Sequence, residues 1–501
     1  MEREALSLNN QKAVIIGAGF GGLSSAIRLA TLGWEVTIIE RQQHAGGKLQ
    51  RIQLGDYHFD RGPSTITMPH VFREVFELAG VQMEDYVKMY DLEPRTRNVF
   101  ADGTTVDLSS DRAFMKEQIA AYSGKDAQNY DAFMDESKAL YREANQKFLG
   151  QLMIRPQDKY NVSMLKSLLR VRPVTKLNTL LQRYFTHPNT LQMFGRYATY
   201  VGSSPYEAPS IFAMLAHVEA ELGVYGVEGG TYSLVSGMEK LAREKGVIFR
   251  TGEEVKRIRT HRNKVTGVET DRDEYTADVV IANGDVLSIH QLLIPESERP
   301  SMDNRKIEQY EPSLSGFVTL AGIQKKYDKL LHHTVFFPDN YQAEFTDIFN
   351  KKRAPEDPTL YLCYSGYSEQ GMAPEGGSNL FILANAPYVS KEWNWELESS
   401  AYQNKLIRRL AELGVTDLER ADVMSHYTPE DIQRDTLAYR GSIYGISSNN
   451  PKQTFTRPSN RSKDIEGLWF VGGTTHPGGG TPIVTRSGRL VAEEIARQEH
   501  T

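Results

Sequence analysis

The chain has 501 residues, which at roughly 150 residues per domain predicts two or three domains and a large core. Its 58 Lys and Arg residues against 64 Asp and Glu residues give a net charge of −6, so the overall charge does not favour a nucleic acid as partner. The single cysteine, Cys363, excludes an internal disulfide and a Cys-x-x-Cys redox pair, and no apolar run reaches the roughly 18 residues of a spanning helix. The N-terminus shows no export signal, and the expected compartment is a reducing cytoplasm.

A complete βαβ unit is predicted at the start of the chain. The β-branched run 12–16 predicts a buried strand, and residues 23–31 carry apolar side chains at helical spacing, with Gly33 in position to end the helix. Residues 36–39 predict a second buried strand that stops at Glu40. Strands buried on both faces are typical of a parallel sheet, so this unit indicates an α/β fold.

A glycine-rich turn, residues 17–22, joins the first strand to the helix. Gly17 permits a tight turn, Gly19 lets the backbone approach a pyrophosphate, and Gly22 lets the helix pack closely on the strand. The helix N-terminus would direct unpaired N–H groups at the phosphates. Glu40 is placed to accept hydrogen bonds from ribose hydroxyls. The alternative is an ordinary turn followed by a solvated glutamate.

The number of such turns distinguishes FAD from NAD. The sequence contains one Gly-x-Gly-x-x-Gly unit, so a second nucleotide-binding domain for NAD(P)H is not predicted. A second glycine pair, Gly46 and Gly47, follows closely behind Glu40 and indicates more backbone packed along an extended ligand. One tightly held dinucleotide is therefore expected, and FAD fits that expectation better than NAD.

Buried strands recur in the middle and at the end of the chain, with aromatic-rich segments between them. They are predicted at 246–249, 264–268, 277–284 and 468–471. We therefore predict an FAD-binding domain assembled from discontinuous segments, with an inserted substrate and membrane-associating domain. The FAD-binding domain comprises 1–94, 223–300 and 460–501, and the inserted domain comprises 95–222 and 301–459.

A second glycine-rich loop, residues 472–480, follows the last predicted strand. Thr481 is a credible N-cap, and Pro482 stands at the favoured first position of a helix that runs through about Gln498. The start of that helix would place N–H donors beside the flavin ring, where negative charge develops at N1 and O2 on reduction. The alternative is a glycine-rich surface turn.

Several stretches of the sequence form a larger pattern. They are 17–22 with Glu40, 46–48, 226–230, 331–337, 373–376 and 472–488. Together they resemble the bacterial carotenoid desaturase/oxygenase group of FAD enzymes over nearly the whole chain. The resemblance implies an α/β, FAD-binding Rossmann-like domain of the amine oxidase and phytoene desaturase type, an inserted α+β substrate domain, and no metal.

By that resemblance, three groups of residues hold FAD. The glycine turn, Glu40 and residues 46–48 would contact the phosphates and ribose, Val255 the adenine side, and the C-terminal loop the ring. The implied contacts are Gly17, Ala18, Gly19, Phe20, Gly22, Glu40, Arg41, Gly46, Gly47, Lys48, Val255, Gly473, Gly479, Gly480, Thr481, Pro482, Ile483 and Val484.

Two activities compete within this group. Desaturases remove a hydride and a proton from a polyene precursor, whereas their relatives oxidise a terminal methyl of a C30 carotenoid to an aldehyde. The stretches that resemble the methyl-oxidising enzymes are 200–204, 225–230, 440–445, 470–473 and 478–480. Residues 475–477 and 482–484 are closer to the desaturases, and Glu369 stands where the group often has Asp. We predict methyl oxidation, with desaturation as the open alternative; a flavin amine oxidase and a prenyl-protein chaperone are alternatives outside the group.

The resemblance implies a long hydrophobic polyene as substrate, held in an apolar tunnel that ends at the flavin. Oxygen or a quinone would reoxidise the reduced flavin. His476 beside the ring and His217 on an apolar helical stretch are catalytic candidates, with loop stabilisation and core packing as their respective alternatives. His332 and His333 are adjacent, so on a strand they would point to opposite faces and could not share a metal ion.

A basic segment predicts an approach to the membrane. Between Lys159 and Phe185 there are six basic residues and no acidic one. Two short helices in this segment would each present an apolar face, formed by Val162, Leu165, Leu168 and Leu169 in the first and by Leu177, Leu180, Leu181 and Tyr184 in the second. Such helices lie in the interface and favour anionic lipid, which predicts a peripheral protein on the cytoplasmic face of the cell membrane. The alternative is a solvated basic pair of helices packed on the domain.

Overall fold

The computed structural model describes residues 11–159, 164, 167 and 170–499. The predicted first amphipathic helix, with Val162, Leu165, Lys166, Leu168 and Leu169, lies outside the described residues. Within the described ranges, no helix combines the length and the apolar character that crossing a bilayer requires.

A five-stranded parallel sheet forms the centre of the nucleotide-binding half. Its strands come from three separated segments of the chain and are mostly apolar, as expected for a sheet covered on both faces. In spatial order they are Leu468–Val471, Val279–Asn283, Lys12–Ile16, Glu35–Glu40 and Ile248–Thr251. After Lys12–Ile16 the chain adds Glu35–Glu40 on one side, and Val279–Asn283 is added later on the other side. The strand order therefore reverses at the carboxyl end of Lys12–Ile16, where ligands bind in such folds.

Helices and a small antiparallel sheet cover this sheet. The helix Phe20–Thr31 packs against the C-terminal helix Thr481–Glu499, so closely that a Cβ on Gly488 would lie 2.2 Å from the carbonyl oxygen of Gly21. The helix Tyr232–Glu244 also packs on Phe20–Thr31. The antiparallel sheet consists of Val255–His261, Lys264–Thr270 and Glu274–Thr276.

A seven-stranded mixed sheet forms the second half of the molecule. Its strands pair antiparallel, except that Thr96–Val99 runs parallel to His333–Phe336. In spatial order they are Val423–Tyr427, Ser315–Ile323, Ser378–Ala386, Leu360–Cys363, His333–Phe336, Thr96–Val99 and Thr105–Leu108. Two ribbons complete the strands: Gln50–Leu54 with Tyr57–Arg61, and Met89–Asp91 with Tyr225–Val227.

The remaining α-helices surround these sheets. Their bounds are Pro69–Leu78, Arg112–Ala120, Gly124–Ala144, Pro156–Lys159, Leu177–Leu181, Pro188–Gly195, Met214–Leu222, Val286–Leu293, Asn304–Glu308, Tyr341–Phe345, Trp395–Glu412, Pro429–Thr436 and Pro451–Phe455. The predicted α/β fold class is confirmed, and the structure adds that the second half is built on a mixed sheet. The C-terminal helix begins at Thr481, so Thr481 lies inside the helix rather than capping it. The division into domains at the stated boundaries stays a prediction.

The second predicted amphipathic helix does not face solvent or lipid with its leucines. Leu177, Leu180 and Leu181 are fully buried in the core of the inserted half, so this part of the prediction is wrong. Other apolar side chains of the protein, and not lipid, therefore cover these leucines. Neighbouring cations are paired as well: Arg170 lies 2.7 Å from Glu143, and Lys176 lies 2.8 Å from Glu207.

Candidate FAD and substrate site

The glycine-rich turn, residues 17–22, lies at the carboxyl end of the central strand Lys12–Ile16. The helix Phe20–Thr31 has Gly19 as its N-cap, no side chain caps it, and its first turn contains no acidic residue. Its first N–H groups are therefore left for an anion. Gly17 has φ of +95°, and a Cβ on Gly22 would lie 2.2 Å from the carbonyl oxygen of Gly17. Close packing of strand and helix at this turn therefore requires glycine.

Asn283 supports the turn from the neighbouring strand, and the sequence analysis missed it. Its Nδ2 donates a hydrogen bond to the carbonyl oxygen of Gly17 at 3.1 Å. A Cβ on Gly21 would lie only 2.8 Å from its Oδ1. The available signal was its place at the end of the predicted strand 277–284, because residues at the carboxyl ends of parallel strands share one edge of the sheet.

Glu40 is fixed at the place predicted for a ribose-binding carboxylate. The backbone N–H of Ala18 donates to its Oε2 at 2.7 Å, and the N–H of Gln42 donates to its Oε1 at 2.8 Å. Burial raises the pKa of Glu40, and these two backbone donors act against that rise. The carboxylate lines the cavity described below and keeps lone pairs free for hydroxyl donors.

The second glycine pair folds back onto the first. Gly46 and Gly47 have φ of +128° and +61°, which favour glycine, and the N–H of Gly46 donates to the carbonyl oxygen of Ala18 at 2.9 Å. A Cβ on Gly47 would lie 3.3 Å from the Cα of Gly19. Two stretches of bare backbone therefore meet at one point of the cavity wall.

Lys48 brings a positive charge to the same wall. Its Nζ donates to the carbonyl oxygens of Ser442 at 2.9 Å and Ile443 at 2.6 Å. Burial lowers the pKa of Lys48 to about 8, while the carboxylate of Asp285 acts in the opposite direction. Its charge is therefore sensitive to pH in a range where most lysines remain protonated.

We expect FAD affinity to fall as the pH rises above about 8. A bound pyrophosphate stabilises protonated Lys48 and so raises its pKa; the affinity is complete below the pKa of about 8 in the ligand-free protein and declines above it. The dissociation constant of FAD from the apoprotein, measured by flavin fluorescence, should be about tenfold higher at pH 9 than at pH 7. Lys48→Arg, which stays charged, serves as the control and should show a flat profile; a flat wild-type profile would contradict the assignment.

The C-terminal loop forms the opposite wall. After the strand Leu468–Val471, the chain turns through glycines and enters the helix Thr481–Glu499. A Cβ on Gly473 would lie 3.3 Å from the Cα of Gly479, and one on Gly479 would lie 3.3 Å from the ring of Tyr444. The loop therefore presents backbone, backed by the ring of Tyr444, to the cavity.

Arg457 holds this loop, and no motif in the sequence indicated it. The guanidinium donates from Nη1 to the carbonyl oxygen of Gly473 at 3.2 Å and from Nη2 to the hydroxyl of Ser448 at 3.1 Å. Burial lowers its pKa to about 10. Its hydrogen-bond acceptors in the described part of the chain are all neutral. A positive charge is thus placed beside the loop that was predicted to line the flavin ring.

One cavity of about 800 Å³ connects these walls to an apolar chamber. The glycine turn, Glu40, Val255 and the C-terminal loop line one part of it. Aliphatic and aromatic side chains line the other part, among them Phe148, Leu149, Met153, Ile211, Phe212, Met214, Leu215, Val218, Leu314, Val318, Phe381, Leu383 and Ile483. A dinucleotide and an apolar molecule would therefore meet in a single space.

Several polar side chains lie at the wall of the cavity or directly behind it. Arg196 and Tyr200 line the cavity, and the Nη1 of Arg196 donates to the Tyr200 hydroxyl at 3.1 Å. The Tyr361 hydroxyl lies 2.6 Å from the Ser64 hydroxyl and 2.8 Å from the Nδ1 of His333. None of these five residues was predicted to lie at the cavity, because no local sequence pattern marks an arginine, tyrosine, serine or histidine as part of a cavity wall.

The two candidate catalytic histidines lie in different environments. His217 is buried on the helix Met214–Leu222 beside the ring of Tyr141, and it is absent from the cavity wall. Burial lowers the pKa of His217. His476 does line the cavity, and its Nε2 lies 2.9 Å from the carbonyl oxygen of Gln151. The catalytic assignment of both stays a prediction.

His332 and His333 are not directed to opposite faces, so that prediction is wrong. The strand begins at His333, and His332 lies at a bend before it, which removes the strand alternation. The two rings lie 4.6 Å apart, and ligand atoms of both residues and of Cys363 lie within 4.8 Å of one another. Burial lowers the pKa of His332 to about 4, so its ring is neutral.

The residues present fit FAD. An uncapped helix start, two facing stretches of glycine backbone and a lysine on the cavity wall, Lys48, provide for a pyrophosphate, and Glu40 provides for a ribose. The cavity continues past these groups to the C-terminal glycine loop and Arg457, where a ring with delocalised negative charge can lie. Arg41 lines the cavity too and donates to the carbonyl oxygens of Arg434 and Asp435 at 2.6 Å.

Comparison with known proteins agrees with this geometry. Residues 20–496 match the family described as flavin containing amine oxidoreductase. The chain is 34% identical, over 97% of its length and 98% of the relative, to a 4,4'-diaponeurosporene oxygenase of Staphylococcus aureus. Among solved structures, a putrescine oxidase variant has a TM-score of 0.66 at 13% identity, covering 97% of this chain and 99% of that one. An oxidoreductase from Methanosarcina mazei has a TM-score of 0.63 at 17% identity, covering 96% and 100%.

Proposed function

The chain belongs to the flavin containing amine oxidoreductase family and is an FAD-dependent oxidoreductase; from this premise we propose that it oxidises a terminal methyl of a C30-type polyene to an aldehyde. The observation that carries the proposal is the apolar chamber that opens directly onto the predicted flavin ring site. A hydrocarbon offers no group for polar orientation, so such a chamber suits it better than a small polar substrate. The 34% identity to the S. aureus oxygenase supports the choice of substrate class.

The proposed reaction balances with dioxygen as co-substrate. A methyl group and one dioxygen give an aldehyde and one water, so the carbon loses four electrons and gains one oxygen atom. FAD, when bound, supplies the capacity to accept electrons from the substrate. Within this scheme the protein positions the terminal carbon with Phe212, Leu215 and Ile483 and excludes bulk water from the apolar chamber. Desaturation with oxygen or a quinone as acceptor is the alternative outcome.

Pigment analysis tests the function. In a host that makes C30 polyene precursors, expression of the wild-type protein should give a terminal aldehyde, identified by mass and by its reaction with hydroxylamine. Additional double bonds without oxygen would identify a desaturase, and unchanged pigments with peroxide released from amines would identify an amine oxidase. Glu40→Leu, which removes the predicted ribose ligand, is the inactive control.

We further propose that the enzyme meets its substrate at the cytoplasmic face of the membrane. Polyenes of this length partition into lipid, and the segment between Lys159 and Phe185 carries no acidic residue. Val174 in this segment has 82% of its surface exposed, and the side chain of Arg170, which pairs with Glu143, remains 68% exposed. An exposed apolar side chain and an exposed cation in one short segment are suited to an anionic interface.

Liposome flotation tests the membrane proposal. Val174→Glu should reduce binding to vesicles that contain anionic lipid, because it replaces an exposed apolar side chain of the basic segment by a negative charge. Leu397→Glu is the matched control, since Leu397 is 76% exposed on the helix Trp395–Glu412, outside the basic segment. Equal flotation of wild type and both variants would contradict the proposed contact.

A further inference from the structure

A buried cation lies in the wall of the apolar chamber. Arg196 is 4% exposed, and its Nε and Nη2 have no hydrogen-bond partner among the described residues. Burying a charged group with unpaired donors is costly, and a pure hydrocarbon substrate offers it nothing. The position of Arg196 therefore needs an explanation beyond packing of the polyene.

The surroundings of Arg196 keep it charged and hold it in place. Its Nη1 donates to the Tyr200 hydroxyl, and its Cζ lies 5.0 Å from the centre of the Tyr200 ring. Burial lowers the pKa of Arg196, but Tyr200 and the buried carboxylate of Glu219 more than offset this effect. Tyr197 donates from its hydroxyl to Glu219 at 2.9 Å, which ties the carboxylate to the same helix turn. The guanidinium is thus a fixed donor group.

Arg196 and Tyr200 also lie close to the predicted ring end of the cavity. Gly202 follows Tyr200 by two residues, and a Cβ on Gly202 would lie 2.9 Å from the Cδ2 of the Tyr444 ring. Tyr444 in turn contacts the C-terminal glycine loop at Gly479. A substrate end placed before the flavin would therefore lie near Arg196 and Tyr200, both of which line the cavity.

We propose that Arg196 and Tyr200 form a binding site for the oxygen atom that the reaction places on the terminal carbon, so that the enzyme holds the terminal alcohol and the aldehyde more tightly than the hydrocarbon. This inference rests on the proposed function and adds to it a binding site for the oxygenated end of the polyene. A guanidinium N–H and a phenol O–H are both suited to a carbonyl or hydroxyl oxygen. A charge-assisted hydrogen bond in a dry cavity is worth roughly tenfold or more in affinity.

Equilibrium binding without turnover tests the proposal. The probes are a C30 polyene hydrocarbon and the same polyene with a terminal aldehyde, added to the FAD-loaded protein in detergent under anaerobic conditions and followed by the visible spectrum. Wild type should bind the aldehyde about tenfold more tightly. Arg196→Met should abolish this preference and leave hydrocarbon affinity within about threefold, and Arg196→Lys should retain part of it.

Two further variants keep the test decisive. Tyr200→Phe removes one hydroxyl and should reduce the preference for the aldehyde by about threefold even if Arg196→Met does not fold. Phe212→Leu is the matched control, because it changes an apolar wall and should weaken both ligands equally. A preference that survives in Arg196→Met and Tyr200→Phe overturns the proposal while the proposed function stands. Failure of the wild type to bind either polyene overturns the proposed function and the inference with it.

Discussion

Gly22→Ala is expected to abolish retention of FAD. The added methyl would lie 2.2 Å from the carbonyl oxygen of Gly17 and 2.8 Å from the Nδ2 of Asn283. The first is a backbone atom, and the second is hydrogen-bonded to it, so neither can move aside easily. The helix Phe20–Thr31 must therefore move away from the strand, which shifts the N–H groups that face the pyrophosphate. Such overpacking costs roughly 1–3 kcal/mol or more, and the displaced phosphate contacts add to this loss. The flavin absorbance of the purified protein should fall to less than about a tenth of the wild-type value.

Gly124→Ala is the matched control for this variant. Gly124 also begins a helix, yet nothing lies within 4 Å of the position of its Cβ. The control should keep full flavin content and the same thermal unfolding temperature. Circular dichroism of both proteins separates the loss of FAD from general unfolding. A fully loaded Gly22→Ala protein would show that the turn does not need close packing at this position.

The second large effect is expected at Arg457. Replacement of Arg457 by Met removes a half-buried positive charge that donates to the carbonyl oxygen of Gly473 and whose acceptors among the described residues are all neutral. If the flavin ring lies against this loop, the charge stabilises the negative charge that the ring acquires on reduction. Sulfite, which adds to oxidised flavin and leaves a negative charge in the ring, should then bind at least about tenfold more weakly, equivalent to about 1.4 kcal/mol.

The charge and the packing of Arg457 can be separated. Arg457→Lys keeps the charge and should retain most of the sulfite affinity, whereas Arg457→Met should lose it while FAD remains bound. Sulfite bleaching of the flavin band is the measurement, and it does not require a carotenoid. Unchanged sulfite affinity in Arg457→Met would place the flavin ring away from this loop.

The local elements and the cofactor could be predicted from the sequence. The spacing of Gly17, Gly19 and Gly22 between two apolar runs follows from backbone sterics, and the confirmed helix and strands begin and end within a few residues of the prediction. The position of Thr481 was one residue in error, because hydrogen-bond patterns at helix starts depend on the preceding loop. The glycine spacing and the helix start both depend on residues that are close together in the chain.

Errors arose where burial depends on distant segments. Leu177, Leu180 and Leu181 have the periodicity of an interfacial helix, but a periodic apolar face does not specify whether protein or lipid covers it. The opposite directions predicted for His332 and His333 require both residues to lie in one strand, but the strand begins at His333. For the leucines the local pattern was identified and its tertiary partner was not, whereas for the histidines the strand boundary was misplaced.

By itself, the sequence determined the dinucleotide-binding unit and the preference for FAD, and the family resemblance suggested a class of substrate. Only the tertiary structure decided which polar side chains line the apolar chamber, because Arg196, Tyr361 and Arg457 come from three distant segments. No local sequence motif indicates that these side chains meet at one cavity. It arises because folding removes these groups from water and places them around one cavity, where a single charge or hydroxyl has a large effect.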